Sequence, residues 1–183
     1  DYRGIKKAEE RIKSDFEMMD FLAEPIEGGL NQDQIRRMGM KEWRDIFTSR
    51  QLVAHYEYLQ AYHKVAPQIR DKYGQNKSEA MLTLLTFAAS RCVNFNSRLN
   101  QWRDSRGYGS HIFTDNNFAL KKMFVDNNIS TARRGYINHS EHVINSYEEL
   151  VKYTKNADSA EIIQADAAKL SESWEKDSVD VAV

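Results

Sequence analysis

The sequence predicts a mostly α-helical chain with a small β part at its C-terminal end. Three observations carry this. Apolar residues recur at three- and four-residue spacing in several segments before residue 155, the period of a helix buried on one side. Helix start and stop signals punctuate that pattern. The period then changes, and Ala160–Ala165 and Val179–Val183 read as short apolar strands. The chain divides accordingly into a helical region, residues 1–155, and two strands of a sheet, residues 156–183.

The first helix is predicted over 5–22, with Ile5, Ala8, Ile12, Phe16, Met19 and Leu22 on one face. Pro25 and Gly28-Gly29 break it, leaving 23–40 as a loop with one short helical turn. The next helix starts at Thr48. Gln51 completes a capping box, and Phe47 with Leu52 has the spacing of a hydrophobic staple. Leu52, Tyr56, Leu59, His63 and Ala66 line its face. Pro67 is expected to kink or interrupt it, and Gly74 to end it.

A third helix is predicted from Glu79 to Trp102, capped by Ser78. Its first half, MLTLLTFAA, is apolar nearly all round and is expected at the centre of the fold. Its second half gathers Asn94, Asn96, Ser97, Arg98 and Asn100. These either reach a cleft or bond neighbouring loops. Residues 103–137 are rich in Gly, Asn and Arg, with one helix expected near Phe118–Val125. Asn138 and Glu141 have capping-box spacing for a helix through Tyr153. Lys169–Trp174 is expected to hold a helical turn between the two strands.

The 183 residues suffice for one medium domain, and 41% hydrophobic with 29% charged residues fits a folded chain. No apolar run reaches the ~18–20 residues of a membrane helix, and no leader pattern opens the sequence. The single cysteine, Cys92, excludes an internal disulfide and a zinc-binding cysteine set. These features predict a cytoplasmic setting without membrane partners. The net charge is −1, but it is unevenly placed. Residues 91–139 carry eight basic and three acidic side chains, a local +5, while 140–183 carry a local −6. That middle segment suits a polyanion, or is an uneven solvated surface.

Motif searches exclude several chemistries. There is no phosphate-binding glycine loop, HExxH, nucleophile elbow or CxxC. His139 and His142 can share a helix face, but no further ligand completes a metal site, so none is expected. Asp166 ends the first strand, where open α/β sheets bind ligands. It can accept from the amino group of a nucleotide-like cofactor, or cap a turn.

Three segments carry a family resemblance. EPIEGGLNQDQIRRMGMKEWRDIFTSRQLVAHYEYLQAY resembles the region around the FTPRQL motif of the large zinc-ribbon-containing adenine-specific DNA methylases, with Ser49 in place of the proline. LLTFAASRCVNFNSRLNQW is similar to that family's helix ending in NSRLxxW, here Asn96-Ser97-Arg98-Leu99 and Trp102. IIQADAAKLSESWEKDSVDVAV is similar to its strand-Gly-Asp-Ala segment and following Ser-Val-Asp strand, with Ala165 replacing the glycine.

The resemblance covers about residues 24–183. It implies an α-rich fragment of an α/β class I methyltransferase fold that uses S-adenosylmethionine and methylates the exocyclic amino group of adenine in DNA. It further implies an internal piece whose partners are DNA and the remainder of the parent methyltransferase chain. The glycine-rich loop would lie before it and the catalytic Asp-Pro-Pro-Tyr after Val183, so no catalytic residue is expected within it. Residue by residue, Asp166 matches the acidic position near the cofactor's adenine. Phe47 and Thr48 match an element near its methionine end, alongside the capping role. A restriction-modification role follows from the same resemblance. The basic middle segment points to Arg98, Arg103, Arg106, Arg133 and Arg134 as DNA-phosphate contacts. The alternative is a non-catalytic helical module that binds nucleic acid or a protein.

Overall fold

The computed structural model describes residues 2–112, 124–130 and 133–156. The expected strands at 160–165 and 179–183, the turn at 169–174 and Asp166 lie outside the described residues. What is described is mostly helical, with one two-stranded antiparallel ribbon. The chain forms two compact units, Asp1–Tyr147 and Glu148–Val183, a boundary somewhat before the sequence division at 155/156. In the second unit the described part ends a helix at Thr154, with Leu150, Val151 and Tyr153 exposed.

The single helix expected over 5–22 is two: α1 (Tyr2–Ser14) and α2 (Phe16–Asp20). Asp15 separates them. Its carboxylate accepts the Met18 N–H at 3.2 Å, the competing bond that makes aspartate a better cap than helix interior. The break shifts the buried face by one residue. Met18 is fully buried, while Phe16 and Met19 are exposed.

The loop that follows holds one short helix, α3 (Asp33–Arg37), as expected. Gly39, at φ +94°, reverses the chain behind it. The Gly39 N–H reaches the Arg36 carbonyl at 3.1 Å and the Met40 N–H reaches that of Ile35 at 3.2 Å. This is the Schellman arrangement, with Ile35 and Met40 as its apolar pair. Both enter a core cluster with Ile26, Ile46, Phe47, Leu52, Leu99 and Ile112. Lys41–Arg44 then pairs with Leu22–Ile26 through backbone bonds such as Ile26 N–H to the Lys41 carbonyl, 2.8 Å.

A 3₁₀ turn (Trp43–Ile46) leads into α4 (Ser49–Tyr73), which starts where the sequence places it. Thr48 Oγ1 accepts from the Gln51 N–H at 3.2 Å, and Gln51 Oε1 accepts from the Thr48 N–H at 3.0 Å. Phe47 and Leu52 share the core cluster. Pro67 does not interrupt the helix. His63, expected on the buried face, is exposed, and His55 is the histidine buried there.

Gly74, at φ +73°, joins α4 directly to α5 (Gln75–Phe95). The predicted helix of 79–102 is therefore early at both ends. Ser78 is not its cap but lies inside it, with its hydroxyl on the Gly74 carbonyl. The asparagine-rich stretch after Phe95 leaves the helix because its side chains bond backbone elsewhere. Only Ser78, Leu82, Ala88, Cys92 and Phe95 of α5 are buried and Phe87 is 56% exposed, so its apolar first half is not the centre of the fold.

Two short strands, β1 (Trp102–Arg103) and β2 (Tyr108–Gly109), form a hairpin with Trp102 opposite Gly109 and Arg103 opposite Tyr108. Of the helix expected near Phe118–Val125, Phe124 and Val125 are non-helical and the rest lies outside the described residues. The last helix, α6 (Tyr136–Thr154), starts two residues before Asn138. Asn138 is not its cap. Its Oδ1 instead accepts the N–H of Arg134 at 3.1 Å, reaching back past the helix start. Among the described residues no helix is long and apolar enough to cross a membrane.

Candidate nucleic-acid interface

The polar residues at the end of α5 bond neighbouring loops. Asn100, fully buried, donates to the carbonyls of Phe95 (2.8 Å) and Val125 (3.2 Å) and accepts the Val125 N–H (2.7 Å). Asn94 Oδ1 accepts the Ile112 N–H at 3.0 Å. Asn96 Nδ2 donates to the Cys92 carbonyl at 2.8 Å and to that of Arg134 at 2.7 Å. The backbone carbonyl of Asn96 in turn accepts Nε2–H of His55 at 3.1 Å, and the other His55 nitrogen accepts from the Tyr136 hydroxyl at 2.6 Å. Burial holds His55 down at about 4, so it is neutral in this bridge. Burial likewise raises the Tyr136 phenol, which stays a donor, and pushes the Cys92 thiol up to about 12, which leaves it unreactive.

This network fixes Arg134, a non-glycine residue at φ +71°. That conformation is disfavoured for a side chain of this size and persists only when neighbours impose it. Here Asn96 holds its carbonyl and Asn138 its N–H. The guanidinium is thereby set 4.8 Å from the Phe95 ring centre and 4.5 Å from that of Tyr108.

Three arginines meet at Tyr108. Arg106 Nη1–H donates to the phenol oxygen at 3.3 Å and Arg134 Nη2–H at 3.1 Å. Arg133 lies 5.0 Å from the Tyr108 ring and donates to the Arg106 carbonyl at 3.4 Å. The donors from Arg106 and then Arg134 pull the phenol down to about 8. Arg91 covers Phe95 at 5.1 Å. The ion pairs among the described residues use Arg11, Arg36 and Arg44. Among the described residues these four arginines make no ion pair, which leaves their charge available to a polyanion.

The five arginines expected at DNA thus separate. Arg106, Arg133 and Arg134 come together, and Arg103 is exposed opposite Tyr108 on the hairpin. Arg98 turns away, donating Nη1–H to the Asp45 carbonyl at 2.9 Å. Phe47, expected at the cofactor, lines a cavity of about 680 Å³ with Trp43, His55, Tyr58 and Tyr136. The Thr48 hydroxyl is taken by the helix cap and does not line it. Tyr108, Phe95 and Arg91 carry no sequence signal that marks them for this cluster. Arg133 and Arg134 were visible as charge, and Asn96 as a polar residue and the first of the NSRLxxW match.

Comparison with family models, with curated proteins and with solved structures finds no match.

Proposed function

We propose that this chain is the DNA-contacting and scaffold part of an adenine-specific DNA methyltransferase. The parent enzyme transfers a methyl group from S-adenosylmethionine to the exocyclic amino group of adenine. The observation that carries the DNA part is the convergence of Arg106, Arg133 and Arg134 on Tyr108 without a paired carboxylate among the described residues. Guanidinium groups suit phosphate oxygens because their planar N–H pairs match the geometry. Tyr108 and Phe95 hold the arginines apart at fixed positions, so less order is lost when a phosphate arrives. The resemblance of the FTSRQL, NSRLxxW and SVDVAV segments supports the methyltransferase part, with Phe47 and Asp166 as cofactor contacts completed by the remainder of the parent chain.

Duplex DNA binding by this chain tests the DNA part. The Arg106→Ala, Arg133→Ala, Arg134→Ala triple variant should bind at least tenfold more weakly at equal salt, with the fold retained by circular dichroism. Equal affinity would remove the reading. Methyl transfer from labelled S-adenosylmethionine by the full-length parent tests the enzymatic part. DNA binding without any transfer by the parent would leave a nucleic-acid-binding module instead.

A further inference from the structure

Among the described residues four buried side-chain atoms have no hydrogen-bond partner: Ser110 Oγ, Asp126 Oδ1 and, beside the arginine cluster, Nε of Arg134 and Nε2 of His139. Buried polar atoms are almost always satisfied, so two orphans in one neighbourhood point to a ligand. His139 is 1% exposed, and its ring lies 5.4 Å from that of Phe95, the same ring that Arg134 and Arg91 cover. The groups that face His139 are Arg91 on α5, Arg134 ahead of α6 and His142 on α6. His111 meets Phe95 at 6.1 Å, and Arg106, Arg133 and Tyr108 surround Arg134. Every one of these groups is cationic or neutral at pH 7. Among the described residues the Arg134 carbonyl is the group at the ring that favours its cation.

A phosphodiester offers only acceptor oxygens. Arg134 Nε–H can donate to one directly; the other ring nitrogen of His139 carries the proton, bonded to the Arg134 carbonyl, so Nε2 can donate only after taking up a second one. We propose that Arg134 and His139 form a seat for a single phosphate group of the bound DNA, and that His139 takes one proton from solvent as the phosphate enters. This rests on the DNA reading above. In the free protein, burial first, then Arg91, Arg134 and His142, hold His139 down at about 4. A phosphate in the seat offsets those positive charges and favours the imidazolium. The complex then binds one proton more than the free protein, so affinity rises as pH falls, by roughly tenfold per pH unit at most.

The test is duplex-DNA affinity between about pH 7 and about pH 5.5, where the Tyr108 phenol stays almost wholly protonated and histidine titration is read. The wild-type chain should bind more tightly as pH falls. His139→Gln should bind with a flat profile, and His63→Gln, on the exposed side of α4, should keep the slope. In parallel, NMR titration of the His139 ring in the wild-type chain should show its pKa rise when DNA is bound. That measurement decides alone if His139→Gln does not fold. A flat wild-type profile, an undiminished slope in His139→Gln or an unmoved His139 titration overturns the proposal. If no DNA binds at any pH, the DNA reading falls, and inorganic phosphate becomes the probe. A phosphate-dependent rise in the His139 titration then assigns the seat to free phosphate, and its absence removes the seat.

Discussion

Helices α4 and α6 start in opposite ways. At α4, Thr48 and Gln51 satisfy each other's backbone N–H within four residues, and Phe47 and Leu52 close over an apolar core. At α6, the start is held from a distance. Asn96 from the end of α5 bonds the Arg134 carbonyl, Asn138 bonds its N–H, and Tyr108 from the hairpin receives its guanidinium. The first start leaves its cap groups satisfied. The second leaves Arg134 Nε and His139 Nε2 unpaired and carries a non-glycine residue at positive φ. Strain and unsatisfied groups often accompany binding, which is why the proposed DNA contact is placed at the α6 start, whereas the α4 start is accounted for by its own cap and staple.

Acid should have the largest effect. His55 and His139 both sit near 4 in the folded chain against 6.5 unfolded. The unfolded chain therefore takes up protons first, and stability falls as pH drops from about 6.5 towards about 4, then levels off. The full loss is on the order of 3 kcal/mol at each histidine. Urea denaturation at pH 7 and pH 5 reads it, and equal stability at the two would mean that these histidines are not held neutral. His55 sits on α4 against Phe47 and also bonds Tyr136, so its protonation loosens both starts, whereas that of His139 acts at the α6 start.

Next in size is Asn96→Ala. It removes the donor to one buried and one partly buried carbonyl, at a cost of about 1–3 kcal/mol, and frees Arg134 from its imposed conformation. DNA affinity should fall with it, although Asn96 is 1% exposed and touches no ligand. Thr48→Ala should cost about 1 kcal/mol and leave DNA affinity unchanged. An affinity loss on that change would make the α4 start part of the binding surface. The smallest effect concerns Tyr108. Its phenol should ionise near 8 by ultraviolet titration, and DNA affinity should weaken above that pH as phenolate charge enters the arginine cluster. Tyr108→Phe should remove that weakening.

The same contrast explains what could be read from the sequence. The α4 cap, the staple, the stop at Gly74 and the short helix before Gly39 are local patterns, and each depends on residues within a few positions of one another. The break at Asp15 was local too, but an unbroken apolar spacing masked it. The end of α5 was misplaced because Asn96 and Asn100 look helical by position, while their side chains are committed to Arg134, Phe95 and Val125, up to 38 residues away. Of the candidate interface, the arginine pair Arg133-Arg134 was visible as charge. That Arg106 and Tyr108 meet it depends on the hairpin, and no spacing rule places a two-residue strand beside a helix start.

The most direct measurement is the salt dependence of duplex-DNA affinity, wild type against the Arg106→Ala, Arg133→Ala, Arg134→Ala variant. Each phosphate contact contributes about 0.9 to the slope of log affinity against log salt. If all three arginines contact phosphate, the variant's slope should be shallower by about 2–3, with affinity converging on that of the wild type at high salt. Parallel slopes, whatever the absolute affinities, would contradict the assignment of this cluster to DNA.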